Sequence, residues 1–436
     1  MFTASFKAAL RAGRMRCVLA VLLTLFAASP VRAQPVLTFD QALLLAQDRS
    51  RQLVAQDYAA TSAREMAVAA AQLPDPTLTA GINNLPINGP DRFTLTRDFM
   101  TMRSVGVMQQ FTHSEKREAR AARFDREAES AESGRRLALA NLQRDTALAW
   151  LDRNYQERVR EILQTERIEA RLQIDAADAA YRGGRGSQVD VFSARAAVAQ
   201  IEDRIAQADR QVATAKSWLA RWVGDAANQP LTAAPNIDAF SVDWARLEDH
   251  IAHHPQIEML LRQEQIARAD AEIAQANKRS DWTAELMYSQ RGPAYSNMIS
   301  VNFSIPWQLD RKNRQDRELG AKLAVIDQMQ AQREEATREH AADVRTWLQQ
   351  WQSNRDRLAR YDSSIIPLSV ERTRAALAAY RGGGVPLNAV LETRRIEIEA
   401  RLERVRLEME TAGLWAQIEY LIPEPRLGSV AKGELK

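Results

Sequence analysis

The chain has 436 residues, of which 26% are charged and 6% aromatic, and its formal net charge is +3. A charge this close to balance, with Lys and Arg interspersed among Asp and Glu, excludes a nucleic-acid surface and reads as solvated helix faces. Many charged and few aromatic side chains are the profile of long helices rather than of a compact aromatic core.

Residues 1–33 have the form of a secretory signal. Lys7, Arg11, Arg14 and Arg16 give a positive start, 17–28 is apolar, and Val31-Arg32-Ala33 supplies the small residues that cleavage after Ala33 requires. The apolar run is too short for a stable anchor. Cys17, the only cysteine, lies within it, so the mature chain is expected to have no disulfide, no thiolate ligand and no lipid-bearing N-terminal cysteine. No later stretch approaches ~18 consecutive apolar residues, which leaves a soluble extracytoplasmic protein or one that enters a membrane by β-strands.

The mature chain is predicted to begin with a helix over 39–73, stopped by Pro74-Asp75-Pro76. The hydrophobic period then changes to two. In 77–83, Leu78, Ala80 and Ile82 alternate with Thr77, Thr79, Gly81 and Asn83. A polar loop over 84–97 leads to a second strand over 102–111, with Val105 and Val107 opposite Ser104, Gly106 and Gln110. One apolar face and one small or polar face are what a lipid-facing barrel strand over a wet lumen requires. Met100, Met102 and Met108 could offer thioethers to a soft cation, Met100 and Met102 from one strand face, and packing or lipid contact accounts for them as well.

A helix is then predicted from Ser114 to the glycines at 183–184, with Gly134 its single soft spot. At about 1.5 Å per residue it reaches roughly 100 Å. It ends in Ala-Ala-Tyr-Arg-Gly-Gly (179–184), a hexapeptide that returns unchanged at 378–383. A glycine pair ends a helix and lets the chain reverse. Beyond the first tip, Val191, Ala194, Val198, Ile201, Ile205, Ala208, Val212, Ala215, Leu219 and Trp222 keep a three-four alternation. That is a coiled-coil seam, whose expected partner is the helix before the tip, returning antiparallel. Residues 224–241, with Gly, Pro and Asn, read as the linker between halves.

The second half repeats the order: a helix over about 244–278, strands over 282–289 and 298–305, a long helix over 311–380, the second tip, and a last helix over 387–420. Trp282 and Trp307 stand at the helix-side ends of their strands, and Tyr288 and Tyr295 at the loop-side ends, as aromatic girdles would. The chain is thus expected to comprise a signal (1–33), a first repeat (34–232, tip 181–190), a second repeat (233–425, tip 380–390) and a tail (426–436). The fold class is mainly α with a transmembrane β-barrel portion. Open sheet edges cannot sit in hydrocarbon, so four strands per chain must close with strands of other copies, giving a barrel of eight, twelve or sixteen.

The order helix, two strands, long helix, glycine tip, helix, written twice, resembles the TolC family of outer-membrane efflux ducts over nearly all of the mature chain. Asn-Leu-Pro-Ile-Asn-Gly-Pro (84–90) and Asp-Phe-Met-Thr-Met-Arg-Ser-Val-Gly-Val (98–107) resemble its heavy-metal, CzcC/CusC-like branch. The resemblance implies a homotrimer with a twelve-stranded barrel in outer-membrane lipid and a periplasmic tunnel of helices, shorter ones stacking end to end against each long one. It implies as partners a periplasmic adaptor and an inner-membrane proton-driven pump of the resistance-nodulation-division (RND) type, and no cofactor. It places the adaptor-facing tip motif on Tyr181, Gly183, Gly184, Asp190 and Val191 and on Tyr380, Gly382, Gly383, Val390 and Leu391, with an aperture at Asp190 and Glu392. The tip glycines could be ordinary helix C-caps with no partner role, but duplication of the whole hexapeptide, Arg182 and Arg381 included, favours contact with the adaptor. Family members can carry two aspartates three residues apart after the second tip. Here those places hold Ala389 and Glu392, leaving one carboxylate per chain. The alternative within the class is a duct for drug efflux or type I secretion; from another class, it is a periplasmic coiled-coil scaffold without a pore.

No catalytic set is present. Tyr-Arg-Gly-Gly-Arg-Gly-Ser at the first tip lacks the Gly-Lys-Ser/Thr ending of a phosphate loop, and five histidines without a supporting Ser/His/Asp context do not suggest an enzyme. His250, His253 and His254, at i, i+3 and i+4, are metal candidates if they share a helix face. Asp249 is adjacent, but no shell is complete and Pro255 interrupts a helix, so a solvated helix start is expected and no metal is assigned.

Overall fold

The computed structural model describes residues 36–240 and 253–423. The expected signal (1–33), the tail (426–436) and His250 lie outside the described residues. Among the described residues, eight α-helices and four strands occur in the order α1 (Phe39–Arg49), α2 (Arg51–Ala70), β1 (Thr77–Asn83), β2 (Met102–Phe111), α3 (Ser114–Arg182), α4 (Gln188–Val223), α5 (Pro255–Ala276), β3 (Trp282–Gln290), β4 (Met298–Ser304), α6 (Gln315–Arg360), α7 (Ile366–Arg381) and α8 (Leu387–Glu419).

The spine is α3, whose 69 residues span about 100 Å. On the part nearer the sheet it packs against α2 and α5, as ion pairs such as Arg135–Asp57 and Arg262–Glu129 show. On the part nearer the tips it packs against α4 and α8. The ends of α2 and α4 meet beside Leu142 of α3, where Leu53, Ala138 and Trp222 pack together. Short helices thus stack end to end along a long one. The α4 seam is buried at every predicted position from Val191 to Leu219, but the next place goes to Val223. Trp222 instead is half-buried in the junction between the two stacked helices.

Three predicted elements differ in course, and a fourth, the helix expected over 244–278, begins at Pro255 within the described residues, 244–252 lying outside them. The helix expected over 39–73 is two helices, because Ser50 adopts extended backbone (φ −68°, ψ 111°) and its hydroxyl accepts from the Leu53 N–H, capping α2. The helix expected over 311–380 starts at Gln315 and is interrupted by a π turn, Tyr361–Ile365, immediately before Pro367. Proline has no N–H to donate and crowds the carbonyl one turn back, and a locally widened turn accommodates both. The linker, third, is part of the core rather than a loose tether. Leu37 and Leu231 form a parallel bridge, and Ile237 and Phe240 pack with Phe39, Trp150, Trp351 and Trp415. Trp351 and Trp415 donate their indole N–H to the carbonyls of Ile237 and Ala239 at 3.1 and 2.9 Å.

Arg153 fixes the other end of this segment. Its guanidinium, on a residue 1% exposed, donates to the carbonyls of Ala227 (2.6 Å) and Gln229 (2.7 Å) and pairs with Glu157 (3.0 Å). Sequence reasoning missed it because one more Arg in an Arg-rich helix carries no signal of burial.

The sheet has the order β1-β2-β3-β4, all antiparallel, so β2 and β3 join the two halves of the chain. Register aligns Leu78, Val107, Leu286 and Val301 across one face, with Ala80, Val105, Tyr288 and Ile299 in the next row. Thr79, Gly106, Met287 and Ser300 form a row on the other face. Gly106 is required there, since a Cβ would meet the Thr79 hydroxyl at 2.9 Å and the Leu286 carbonyl at 3.1 Å. Replacing Arg153 by Ala strands two buried carbonyls and should lower unfolding stability by about 2–4 kcal/mol, read by thermal or denaturant melting. Replacing exposed Arg182, paired only with Asp178, should change it by less than about 1 kcal/mol.

Candidate functional site

Three regions carry the residues singled out in the sequence: the hairpin tips, the sheet, and the start of α5. The tips are built alike. In the first, Gly183, Gly184 and Arg185 donate backbone N–H groups to the carbonyls of Ala179, Tyr181 and Ala180. In the second, Gly382, Gly383 and Gly384 donate to Ala378, Tyr380 and Ala379. This pattern satisfies the last helix carbonyls and needs one residue in the left-handed region. That residue is the second glycine of each pair, Gly184 (φ +69°) and Gly383 (φ +75°). Gly183 and Gly382 have ordinary negative φ.

Beyond the turns the tips diverge. Ser187 and Asp190 form a reciprocal cap on α4: the Asp190 N–H donates to the Ser187 hydroxyl at 3.2 Å, and the Ser187 N–H donates to the Asp190 carboxylate at 3.0 Å. Asp190 is therefore engaged in starting its helix. Pro386 precedes α8 with no side-chain cap. Tyr181 is 46% exposed, whereas Tyr380 packs on Ala177, Val191 and Leu387 between the two hairpins. Arg182 pairs with Asp178, and Arg381 is exposed. Glu392 accepts two hydrogen bonds from Arg395, at 2.7 and 3.1 Å, which hold its carboxyl below the usual range.

An ion-pair network behind the tips joins α3 to α8. Buried Glu166 and Glu397 flank Arg394 and Arg401, with Glu397 paired to Arg401 at 2.8 Å and to Arg394 at 3.0 Å. Burial pushes both carboxyls up. For Glu166 that effect prevails over Arg394 and Arg401. For Glu397 the hydrogen bonds from Arg401 and Thr373 and the charge of Arg394 outweigh it and hold the group low.

At the sheet, Trp282 stacks on Phe111 (centroids 4.2 Å apart, 14° between planes) at the helix-side end, and exposed Trp307 follows β4 there. Tyr288 lies toward the other end, and Tyr295 in the loop after β3 donates its hydroxyl to the Arg97 carbonyl at 3.4 Å. Leu78, Ile299 and Phe303 are each at least 70% exposed on the apolar face. The opposite face carries hydrogen bonds between polar side chains, such as Asn83 to Ser104 (2.9 Å) and Asn302 to Glu285 (3.2 Å). Met102 and Met108 lie on that polar face, whereas Met100 precedes β2 in the loop and shares no strand face with Met102. Among the described residues, no helix is long and apolar enough to cross a membrane.

His253 and His254 do not share a helix face, since both precede α5. His254 is the N-cap of α5, in extended backbone (φ −61°, ψ 134°), and its Nδ1 accepts from the Gln256 N–H at 3.3 Å. His253 precedes it, exposed. His254 is buried and lies against His340 of α6, ring centroids 3.9 Å apart and planes tilted by 38°, a partner that no local pattern in the sequence reveals. Burial, followed by the charges of His340 and Arg144, pushes His254 down to about 3. Among the described residues, no group of three or more His, Cys, Asp or Glu is arranged to hold a metal.

Because His254 stays neutral when folded but takes a proton near pH 6.5 when unfolded, the unfolded state binds more protons as pH falls below that value. Stability should therefore decline steadily from about pH 6.5 toward pH 4. His254→Asn, which keeps a capping side chain, should flatten this decline in a series of melts across that range.

No protein-family model and no curated protein matches this chain. Solved structures do. The chain is similar to the outer-membrane channel OprN (16% identity, TM-score 0.74, covering 88% of this chain and 90% of that one). It is similar to the outer membrane protein VceC from Vibrio cholerae (17%, TM-score 0.72, 88% and 95%) and to CusC, whose structures address transmembrane channel formation (14%, TM-score 0.73, 88% and 92%). At these identities the likeness is one of fold, and the three are equally close.

Proposed function

We propose that this chain is one subunit of an outer-membrane duct in a tripartite efflux system, with its sheet in lipid and its helices in the periplasm. The chain has the TolC-like channel fold, with long helices and a four-stranded antiparallel sheet. The observation that carries the reading is the sheet itself. One face exposes Leu78, Val107, Leu286, Val301 and Phe303, the other is polar, and β1 and β4 each have one unpaired edge. A soluble protein would bury such a face, and a bilayer does not tolerate such edges. Closure with further copies of the chain resolves both, and three copies give the twelve strands of the duct. The polar inner face suits a water-filled lumen and argues against a scaffold without a pore.

On this reading the tips face the adaptor, offering Tyr181, Arg182 and the glycine turn from the first hairpin and Arg381 with its turn from the second. The inner-membrane pump supplies the energy, since the duct carries no motor. Glu392, one per chain, forms a ring at the aperture whose charge is partly offset by Arg395. The cargo we propose is a heavy-metal cation, on the resemblance of 84–90 and 98–107 to the metal-exporting branch.

Two experiments test this. Leu286 lies in the middle row of the apolar face, so Leu286→Arg should cost about 2–4 kcal/mol of insertion and strongly reduce heat-modifiable oligomer in outer-membrane fractions. Ser300→Arg on the polar face should leave it near wild type. Deleting the chain from its host should lower tolerance to at least one of the Cu, Ag, Zn, Co and Cd salts. Unchanged tolerance to all five with increased drug sensitivity would overturn the metal assignment and leave a drug duct.

A further inference from the structure

The apolar face has one cation on it. Arg103 sits on β2 in register with Ile82 on one side and Gln290 on the other, on the same face as Val105, Val107 and Leu286. Its position along the strand matters. The row containing Phe111 and Trp282 marks the helix-side end of this face, and Arg103 lies about 27 Å further along β2 at ~3.4 Å per residue. With the usual strand tilt of about 35–45° that distance becomes roughly 20 Å of membrane height, against an apolar band of about 25 Å. Arg103 therefore lies at the far rim of the band, where an arginine costs little, and not at the midplane, where it would cost about 2–4 kcal/mol.

Among the described residues this guanidinium has no counter-charge. Arg103 is half-buried, its Nε is covered without a hydrogen-bond partner, and it forms no ion pair among the described residues. The nearest stretches of chain are the loops 84–101 and 291–297. They contribute Arg92, Arg97 and Arg291 against only Asp91 and Asp98. The Asp98 carboxylate is taken by the Met100 and Thr101 N–H groups at 2.8 and 3.1 Å. Arg291 is spent on the carbonyls of Ser296 and Phe99, and Arg92 lies over the Phe93 ring. Arg97 is exposed, and its side chain has no ion-pair partner among the described residues. The far rim thus carries an excess of positive charge, with one arginine on the strand face that also carries Val105 and Val107.

We propose that Arg103 binds a phosphate of the lipid headgroups in the far leaflet, with Arg97 of the adjoining loop adding to the attraction. This rests on the outer-membrane reading above, since the far leaflet of such a membrane presents phosphorylated glycolipid. The planar guanidinium matches phosphate oxygens bidentately, and a charge-assisted pair at a partly dry rim is stronger than the same pair in water. A second copy of the chain is a poorer partner. Arg103 is on an inner strand, and the only carboxylates in the loops at that end are Asp91 and Asp98.

The test uses the full mature chain as its oligomer, wild type and Arg103→Gln, reconstituted into phosphatidylethanolamine vesicles doped with diphosphoryl lipid A or with its dephosphorylated form. After re-extraction in detergent, retained lipid is measured per chain by mass spectrometry. Wild type should retain the diphosphoryl lipid with an apparent affinity at least about tenfold above that of Arg103→Gln. The dephosphorylated lipid should not distinguish the two proteins, and inorganic phosphate at millimolar concentration should not compete. Equal retention by both proteins, or full competition by inorganic phosphate, would overturn the lipid site. So would an Arg103→Gln oligomer that falls apart before any lipid is added, because Arg103 would then serve a contact between copies. If neither protein enters the vesicles, the membrane reading itself fails; if both enter equally and retain equally, only the lipid site does.

Discussion

Everything in this chain is placed by one uninterrupted helix. Because α3 runs for about 100 Å, no single neighbour can cover it, and its apolar residues are buried piecewise by α1, α2, α4, α5 and α8. The stacking of shorter helices along it follows directly. Where two of them abut, a bulky side chain is needed to fill the gap, and Trp222 takes that place at the cost of its position in the α4 seam. The buried middle of α3, with Trp150, Arg153 and Tyr155, is also where the chain connecting the two halves is clamped. A helix this polar depends on that girdle for its unique packing, since its ion pairs are mostly solvent-facing and each contributes little.

The sheet imposes a different constraint. It is apolar on one face and polar on the other, with the apolar face exposed rather than packed on a core, and its two edges are unpaired. The proposed closure with further copies would answer both properties. The helices have the caps, seams and ion networks of a structure that holds together within one chain, yet they too expose large apolar side chains, among them Ile168, Leu172, Phe192, Trp218 and Leu368.

The strands were legible in the sequence almost to the residue, because side chains alternate between two faces at a period of two only along extended backbone, and the aromatic residues and the Val and Ile of the strands fall on one face. The α4 seam was equally plain, since three-four spacing over several turns specifies a buried stripe. What escaped were features set by tertiary contact or by a single residue. The break at Ser50 is one hydroxyl capping a helix within a run of good helix formers. The π turn before Pro367 depends on how that proline is accommodated, which the pattern alone does not decide. The 224–240 segment looks like a linker by composition, yet its carbonyls are taken by Arg153, Trp351 and Trp415, all distant in sequence. His254 was legible as a helix start but not as a ring-contact partner of His340. The tips were visible through their duplication, and their inequality was visible in part, through Asp190, Pro386 and Glu392. That Tyr380 turns inward while Tyr181 faces out follows from the packing of one hairpin on the other.

The interrupted course of the second hairpin has a mechanical consequence. The ascending arm of the first hairpin is a continuous rod, and hydrogen bonds repeating every residue make such a rod stiff along its whole length. The corresponding arm of the second is jointed at Tyr361–Ile365, where the ladder is widened for one turn. A load applied at the tips is therefore carried through the first arm to the girdle around Trp150, while in the second it is relieved at the joint. The two arms of the chain differ in compliance, and bending concentrates in the arm that ends beside Glu392.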